Sequence, residues 1–155
     1  MVRPTLPEPR ESAFWRSALP VLYALLKLTD PLIRNWWRST GLGLGDIVEL
    51  RVAGRRSGRY RRVLLTLLHD GGQWVLGHPN GHVAWTLNLE AAGTADLAFR
   101  RRAPIPVRAR RLTGAAHDAA ILATDQQPFP GSLVYRLARA HIRAVGVYFA
   151  IDRVD

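Results

Sequence analysis

From Ile47 to Val52 the chain reads Ile47-Val48-Glu49-Leu50-Arg51-Val52, apolar and polar in alternation, the period of a half-buried strand. The run Val63-Leu64-Leu65-Thr66-Leu67-Leu68 is almost wholly apolar and predicts a buried strand over Val63–Leu68. A third strand is expected over Gln73–Leu76, joined to the second by the hairpin turn Asp70-Gly71-Gly72. Further strands are expected at Ala95–Phe99 and Ile105–Arg111, separated by Arg100-Arg101-Arg102, and at Val145–Val154. The helical period shows first in Ser12–Leu28, where Trp15, Leu19, Leu22, Leu25 and Leu26 form a stripe. Pro20 fits that helix only in a first turn or at a kink. Asp30-Pro31 signals a second start, with Leu32, Ile33, Trp36 and Trp37 on one side and Gly41, Gly43 and Gly45 at the end. His78-Pro79-Asn80-Gly81 is a loop. Val83–Ala92 reads as a short helix with Val83, Ala84, Trp85 and Leu87 on its apolar side and Gly93 as its C-cap. Helices are also expected over Ala115–Thr124 and Ser132–Ala144.

Two helices followed by a β-rich remainder predict an α+β chain, mainly β. Its parts are an N-terminal helical segment over 1–44 and a β domain over 45–155. The leader Met1–Glu11, with Pro4, Pro7 and Pro9 among charges, reads as loose. A length of 155 residues suffices for a real core. No cysteine is present, which excludes disulfides, thiolate metal sites and a cysteine nucleophile. The net charge is +10 and is almost wholly arginine, Lys27 being the one lysine. Such a balance admits nucleic acid, an anionic membrane surface or an acidic small molecule as partner. No secretory signal is evident, and the run Ala18–Leu28 falls short of the roughly 20 apolar residues that a bilayer requires. A cytoplasmic location fits. The two N-terminal helices carry Phe14, Trp15, Tyr23, Trp36 and Trp37 beside Arg16, Lys27, Arg34 and Arg38. They could lie in a membrane interface, or bury their aromatic side chains against the β core.

The densest chemistry is in the turn between the first two strands. Gly54 and Gly58 bracket it, and Arg55, Arg56, Arg59, Arg61 and Arg62 fall within eight residues beside Ser57. Guanidinium forks and backbone N–H groups at a tight turn suit an anionic ligand. A solvated hairpin tip is the plain alternative. Other chemistries find less. His78 and His82 are four apart with Pro79 and Gly81 between them, so no helix presents both to a metal, and no metal site is expected. No hydrolytic signature, Walker sequence or dinucleotide fingerprint occurs, and Gly41–Gly45 reads as a connector. Nucleic-acid binding rests on charge alone, without a recognisable reading motif. Trp85 and Asn88 share a face of their short helix. Trp85 can pack beside a flat ring and Asn88 can bond its polar edge.

Taken together, Gly54-Arg55-Arg56-Ser57-Gly58 with Arg61, then Asp70-Gly71-Gly72, then Ala84-Trp85 with Asn88-Leu89 and Ala91 resemble the deazaflavin-dependent nitroreductase family over roughly residues 45–99. The resemblance implies a split β-barrel related to flavin-mononucleotide-binding oxidoreductases. It also implies coenzyme F420, with flavin mononucleotide or haem as alternatives on such a barrel. The implied activity is F420H2-dependent hydride transfer to a small hydrophobic acceptor such as a quinone, enone or nitroaromatic. Association with the inner face of the membrane through the N-terminal segment is implied, and a homodimer is compatible. The implied phosphate site is Arg55, Arg56, Ser57 and Arg61. Arg62, Val63, Leu64, Leu65 and Thr66 would run along the ring system, Gly77, His78, Pro79 and Asn80 would border it, and Ala84, Trp85 and Asn88 would complete the pocket. The chain departs from the family pattern at Leu64 and Val83, where prolines are usual. Pro79 stands where a substrate-contacting serine is usual. Gly131–Leu137 replaces a tyrosine-rich stretch and keeps only Tyr135. Tyr135 and His78 are the candidates left for a catalytic group. A ligand carrier without catalysis is the competing reading, and a basic nucleic-acid or membrane module a third.

Overall fold

The computed structural model describes residues 5–22, 24, 46–127 and 131–155. The described part of helix α1 takes in residues 13–22. Strands β1 (Ile47–Ala53), β2 (Tyr60–Thr66), β3 (Leu68–Asp70) and β4 (Gln73–His78) follow, then helix α2 (Ala84–Ala92). Next come β5 (Thr94–Ala98), β6 (Ile105–Arg111), helices α3 (Gly114–Ala123), α4 (Gly131–Leu137) and α5 (Arg139–Val145), and finally β7 (Val147–Arg153). The strands form one antiparallel sheet in the order β2-β1-β5-β6-β7-β4-β3.

The two ends of that order are joined by a single residue. Leu67 alone separates β2 from β3, so one stretch of chain pairs with β1 and then, past Leu67, with β4. The sheet must therefore curl until its edges meet, which makes it a split β-barrel of the α+β class. The expected strand Val63–Leu68 is thus two elements, and it is not uniformly buried. Tyr60, Arg61 and Arg62 are exposed, Val63 to Thr66 are half-buried, and only Leu67 and Leu68 are buried. The cause is position: β2 is an edge, with a partner strand on one side only.

The barrel interior is filled by Val48, Leu50 and Val52 of β1, Leu76, Leu97, Val107, and Val147, Phe149 and Ile151 of β7. Leu89 of α2 joins the same cluster. The opposite face of β7 and β4 is buried too. Tyr148, Ala150 and Val75 pack under Ala120 and Ile121 of α3 and Ile142 of α5. Hence β7 is apolar at every position from Val147 to Ile151, as expected of a strand covered on both faces. On β1 the alternation holds, with Glu49 and Arg51 on the outward face. Fully burying one such Leu or Phe contributes about 1.5–3 kcal/mol.

The Asp70-Gly71-Gly72 hairpin forms as expected. Asp70 pairs with Gln73, and Gly71 and Gly72 both take positive φ, 54° and 91°, as a two-residue hairpin turn needs. Beside it the Gln126 amide lies along β3, its Oε1 accepting from the His69 N–H at 2.9 Å and its Nε2 donating to the His69 carbonyl. A side chain there satisfies backbone groups that would otherwise invite another strand.

Other boundaries shift for local reasons. The expected helix over Ser132–Ala144 is interrupted at Ala138, which is buried, giving α4 and α5. The last strand begins at Val147, because Val145 ends α5 and the Gly146 N–H closes it on the Ile142 carbonyl at 2.7 Å. Helix α2 begins at Ala84 and buries Thr86, Asn88 and Leu89, not the expected Val83, Ala84 and Leu87 side. The expected second N-terminal helix, from Asp30, lies outside the described residues. The first docks on the barrel. The Arg10 N–H bonds the Ala140 carbonyl at 2.9 Å, Leu19 is buried, and Trp15 and Leu6 pack on the outer cluster. Trp15 is thus turned to protein, while Phe14 is 69% exposed. No helix among the described residues is long and apolar enough to cross a membrane.

Candidate cofactor site

The arginine turn is held by its own backbone. The Gly54 N–H bonds the Arg59 carbonyl and the Gly58 N–H bonds the Gly54 carbonyl, each at 2.8 Å. Gly58 takes φ 67°, open to glycine at little cost. A Cβ on Gly54 would press on the Ser57 hydroxyl and the Arg59 carbonyl, at 3.1 and 3.2 Å. Ser57 Oγ accepts from the Arg59 N–H at 3.3 Å. Arg55, Arg56, Arg59, Arg61 and Arg62 all stay exposed around this frame. Arg62 stands directly across from Arg51 in the β1–β2 register. Like charges so placed repel, and an anion between them relieves the repulsion.

The turn and α2 meet through one side chain. Asn88 Oδ1 accepts from the Arg55 N–H at 3.1 Å and from Arg55 Nη1 at 3.3 Å. Asn88 is buried, so its carbonyl oxygen needs these partners. One turn earlier, Trp85 is half-buried against the interior cluster, its ring centroid 6.4 Å from that of Phe149. Ala84, at the start of α2, is exposed. The helix start is held by Thr86, whose hydroxyl accepts from the Val83 N–H and donates to the Val83 carbonyl, both at 2.9 Å. Between turn and barrel runs β2. Val63 and Leu65 pack inward on the interior cluster. Leu64 and Thr66, on the other face, are half-buried. Apolar side chains beside a row of exposed arginines are what a ligand with a flat ring and an anionic tail would need.

The end of β4 is built differently. Gly77 pairs with Tyr148, and a Cβ there would overlap the Tyr148 ring, so this glycine makes room for a protein side chain. His78 is nearly buried, with Nδ1 accepting from the Asn80 N–H at 3.2 Å. Pro79 is buried. Asn80 uses both ends of its amide on protein. Its Nδ2 donates to the Arg16 carbonyl at 3.1 Å, and its Oδ1 accepts from His141 Nε2 at 2.7 Å. The Arg16 carbonyl is available because Pro20, four residues on in α1, has no N–H to give it. His141 Nδ1 in turn accepts from the Ser12 N–H at 3.0 Å. Those two bonds require the neutral imidazole with its proton on Nε2. Burial, and then the nearby Arg16 charge, lower the pKa of His141, against a smaller opposing pull from Glu11.

The structure therefore joins Arg55 to Asn88, with Ser57 in the turn and β2 following it. It gives the space over Gly77 to the Tyr148 ring and commits the Asn80 side chain to α1 and His141. Tyr135 lies half-buried on α4 against the outer cluster. Tyr148, which sequence reading passed over as one more strand residue, has a fully buried hydroxyl whose pKa burial raises well above the usual tyrosine range, with Tyr135 adding to the rise. His141 was equally silent, an isolated histidine on a helix. Only the cross-strand and helix–loop contacts reveal either residue. Among the described residues no three His, Cys, Asp or Glu side chains gather as a metal would require.

No protein-family model and no curated protein matches the chain. Solved structures share its fold. An F420-H2 dependent reductase, FDR-A, is 22% identical over 68% of this chain and 93% of its own, with a TM-score of 0.52. The heme storage protein HutZ from Vibrio cholerae is 11% identical over 81% of this chain and 89% of its own, also with a TM-score of 0.52. A heme binding protein from Mycobacterium smegmatis is 18% identical over 72% of this chain and 47% of its own, with a TM-score of 0.50. These likenesses establish the split barrel, a fold on which the ligand differs from one protein to the next.

Proposed function

We propose that the chain is an F420H2-dependent oxidoreductase that passes hydride from the reduced deazaflavin to a small hydrophobic acceptor such as a quinone, enone or nitroaromatic. The observation that carries this reading is the hook of Arg55 on Asn88, which ties the arginine turn to the Trp85 helix beside the half-open strand β2. An F420-H2 dependent reductase on the same fold supports it.

The residues fit such a cofactor. The exposed guanidinium groups of Arg55, Arg56 and Arg61, with Ser57, would hold the phosphate and the acidic tail. Leu64 and Thr66 offer a half-buried strip for a planar ring, and Trp85 and Asn88 stand at the neighbouring helix. The bound deazaflavin supplies the hydride chemistry. The protein supplies position: Asn88 fixes Arg55, and the interior cluster fixes Trp85 and β2. An apolar strip also sheds water from the transfer face, which strengthens every charge contact at the rim.

Titration settles the cofactor. Tryptophan emission should be quenched saturably by oxidised and reduced F420 at micromolar levels, more tightly than by flavin mononucleotide or hemin. Replacing Arg55 or Arg61 by alanine removes a charge-assisted bond of about 1.5–3 kcal/mol, roughly a tenfold to hundredfold loss of affinity. Absence of F420 binding, or preferential binding of hemin, overturns the proposal. Binding without turnover across a quinone, enone and nitroaromatic panel makes the chain a carrier.

A further inference from the structure

We infer that the chain has a second oxyanion site, for inorganic phosphate or a phosphate monoester, in the loop between β5 and β6. The loop borders an open cleft of about 290 Å³ beside the outward face of β1. Arg51 and Glu49 of β1 line it with Arg100, Arg101 and Arg102 of the loop. Four guanidinium groups therefore face one carboxylate. That carboxylate is already committed, for Glu49 is 2% exposed and bound by Arg51 Nε at 2.8 Å. Among the described residues the terminal nitrogens of Arg51 make no hydrogen bond, Asp96 standing across from it on β5.

Three features of this loop are unfavourable as they stand. Arg100, Arg101 and Arg102 are consecutive like charges beside Arg51. The Nε of Arg100 is buried and has no hydrogen-bond partner among the described residues. Arg101 takes φ 54°, the single non-glycine residue with positive φ among the described residues, within a turn closed by the Arg102 N–H on the Phe99 carbonyl at 3.2 Å. Strained backbone and unmade bonds of this kind gather where a ligand is held. A tetrahedral dianion answers two of them directly and gives the third a purpose. It neutralises the arginine row, it accepts from the buried Arg100 N–H, and its geometry suits guanidinium forks, which the turned Arg101 helps converge. The cleft is large enough for an oxyanion, and its open side leaves room for the rest of a monoester.

This site is centred toward the other end of β1 from the arginine turn, and the two approach each other only at Arg51, which lines this cleft and stands across from Arg62. β1 and β5 run antiparallel with Glu49 opposite Ala98 and Arg51 opposite Asp96, so the loop after Ala98 lies toward the Ile47 end. The arginine turn follows Ala53 at the other end. Glu49 and Ala53 are four residues apart, roughly 13 Å along the strand.

The test is a titration with inorganic phosphate at constant ionic strength. The arginine Nε–Hε signals are followed by NMR and the affinity is measured by calorimetry. The Arg100 signal should shift saturably, and sulfate should compete. Arg102→Gln should raise the phosphate midpoint of the Arg100 signal at least tenfold and Arg100→Gln should remove one class of sites from the calorimetric titration, while Arg55→Gln, which acts at the arginine turn, leaves the midpoint of the Arg100 signal unchanged. Arg102→Gln keeps the buried position intact should Arg100→Gln fail to fold. A response matched by chloride, or abolished by Arg55→Gln, overturns the inference. So does an Arg100 signal that moves only with a single-stranded oligonucleotide or phosphatidylglycerol vesicles and not with phosphate. The outcome is independent of F420 binding, which Arg55 and Arg61 control.

Discussion

His141 links three elements with two hydrogen bonds, and both need it neutral. It receives the Ser12 N–H and gives its own Nε2 proton to Asn80, which holds the Arg16 carbonyl that Pro20 leaves open. Its folded pKa lies below 6.5. A histidine so shifted contributes its stability in full above the unfolded value, and loses it as pH falls from there through the folded value. Thermal melts should therefore show a loss of stability on acidification below pH 6.5 that His141→Gln lacks. The wild type should also lose protection of the Ser12 amide from hydrogen exchange before the barrel amides. Gly77 makes the opposite point, that of a residue defined by what it lacks. Gly77→Ala forces a methyl into the Tyr148 ring, which is itself buried between β7 and the helices. Overpacking of this sort costs about 1–3 kcal/mol, to be read as a lower urea midpoint at unchanged slope.

At the scale of elements, the hook of the arginine turn on α2 separates stability from binding. Asn88→Ala strips Arg55 of its acceptor and should cost about 1–2 kcal/mol and loosen the turn. Asn88→Asp keeps an oxygen for both Arg55 donors, so the fold should hold, but it places a negative charge in an anion site. Cofactor affinity should fall in both variants while the urea midpoint falls in only one. The β5–β6 loop allows a second separation. Arg101→Gly removes the left-handed strain at φ 54° and should raise stability by about 1 kcal/mol while weakening phosphate binding. The hairpin, α2 and its Gly93 cap were legible from spacing and glycine placement. The buried face of α2 was not. Thr86 is buried because its hydroxyl closes on Val83 within its own turn. Asn88 is buried because its partner arrives from 33 residues away. A hydropathy pattern counts both as polar and turns the helix the wrong way.

For the whole molecule, nine of the arginines form two groups along β1, the turn after Ala53 and the β5–β6 loop with Arg51, both of them outward from an apolar interior. Binding at exposed guanidinium groups is screened by salt, whereas the interior is not. F420 affinity should thus fall steeply between low and high sodium chloride, with the thermal midpoint nearly constant. A parallel fall in both would mean that the arginines hold the fold.

The alternation of β1, the glycines of the Asp70 hairpin, the α+β order of elements and the arginine-rich turn are local. Each is set by forces acting over a few residues, and each was readable in the chain itself. The split of Val63–Leu68 into β2 and β3 is not local, since it exists only because one stretch must serve both edges of a curling sheet. Nor is the meeting of Ser12 with His141 across 129 positions, the space that Gly77 leaves for Tyr148, or the placing of Arg100–Arg102 around one cleft with Glu49 and Arg51. These depend on which strands become neighbours when the barrel closes, and pairings at that distance are decided by the burial of the whole core.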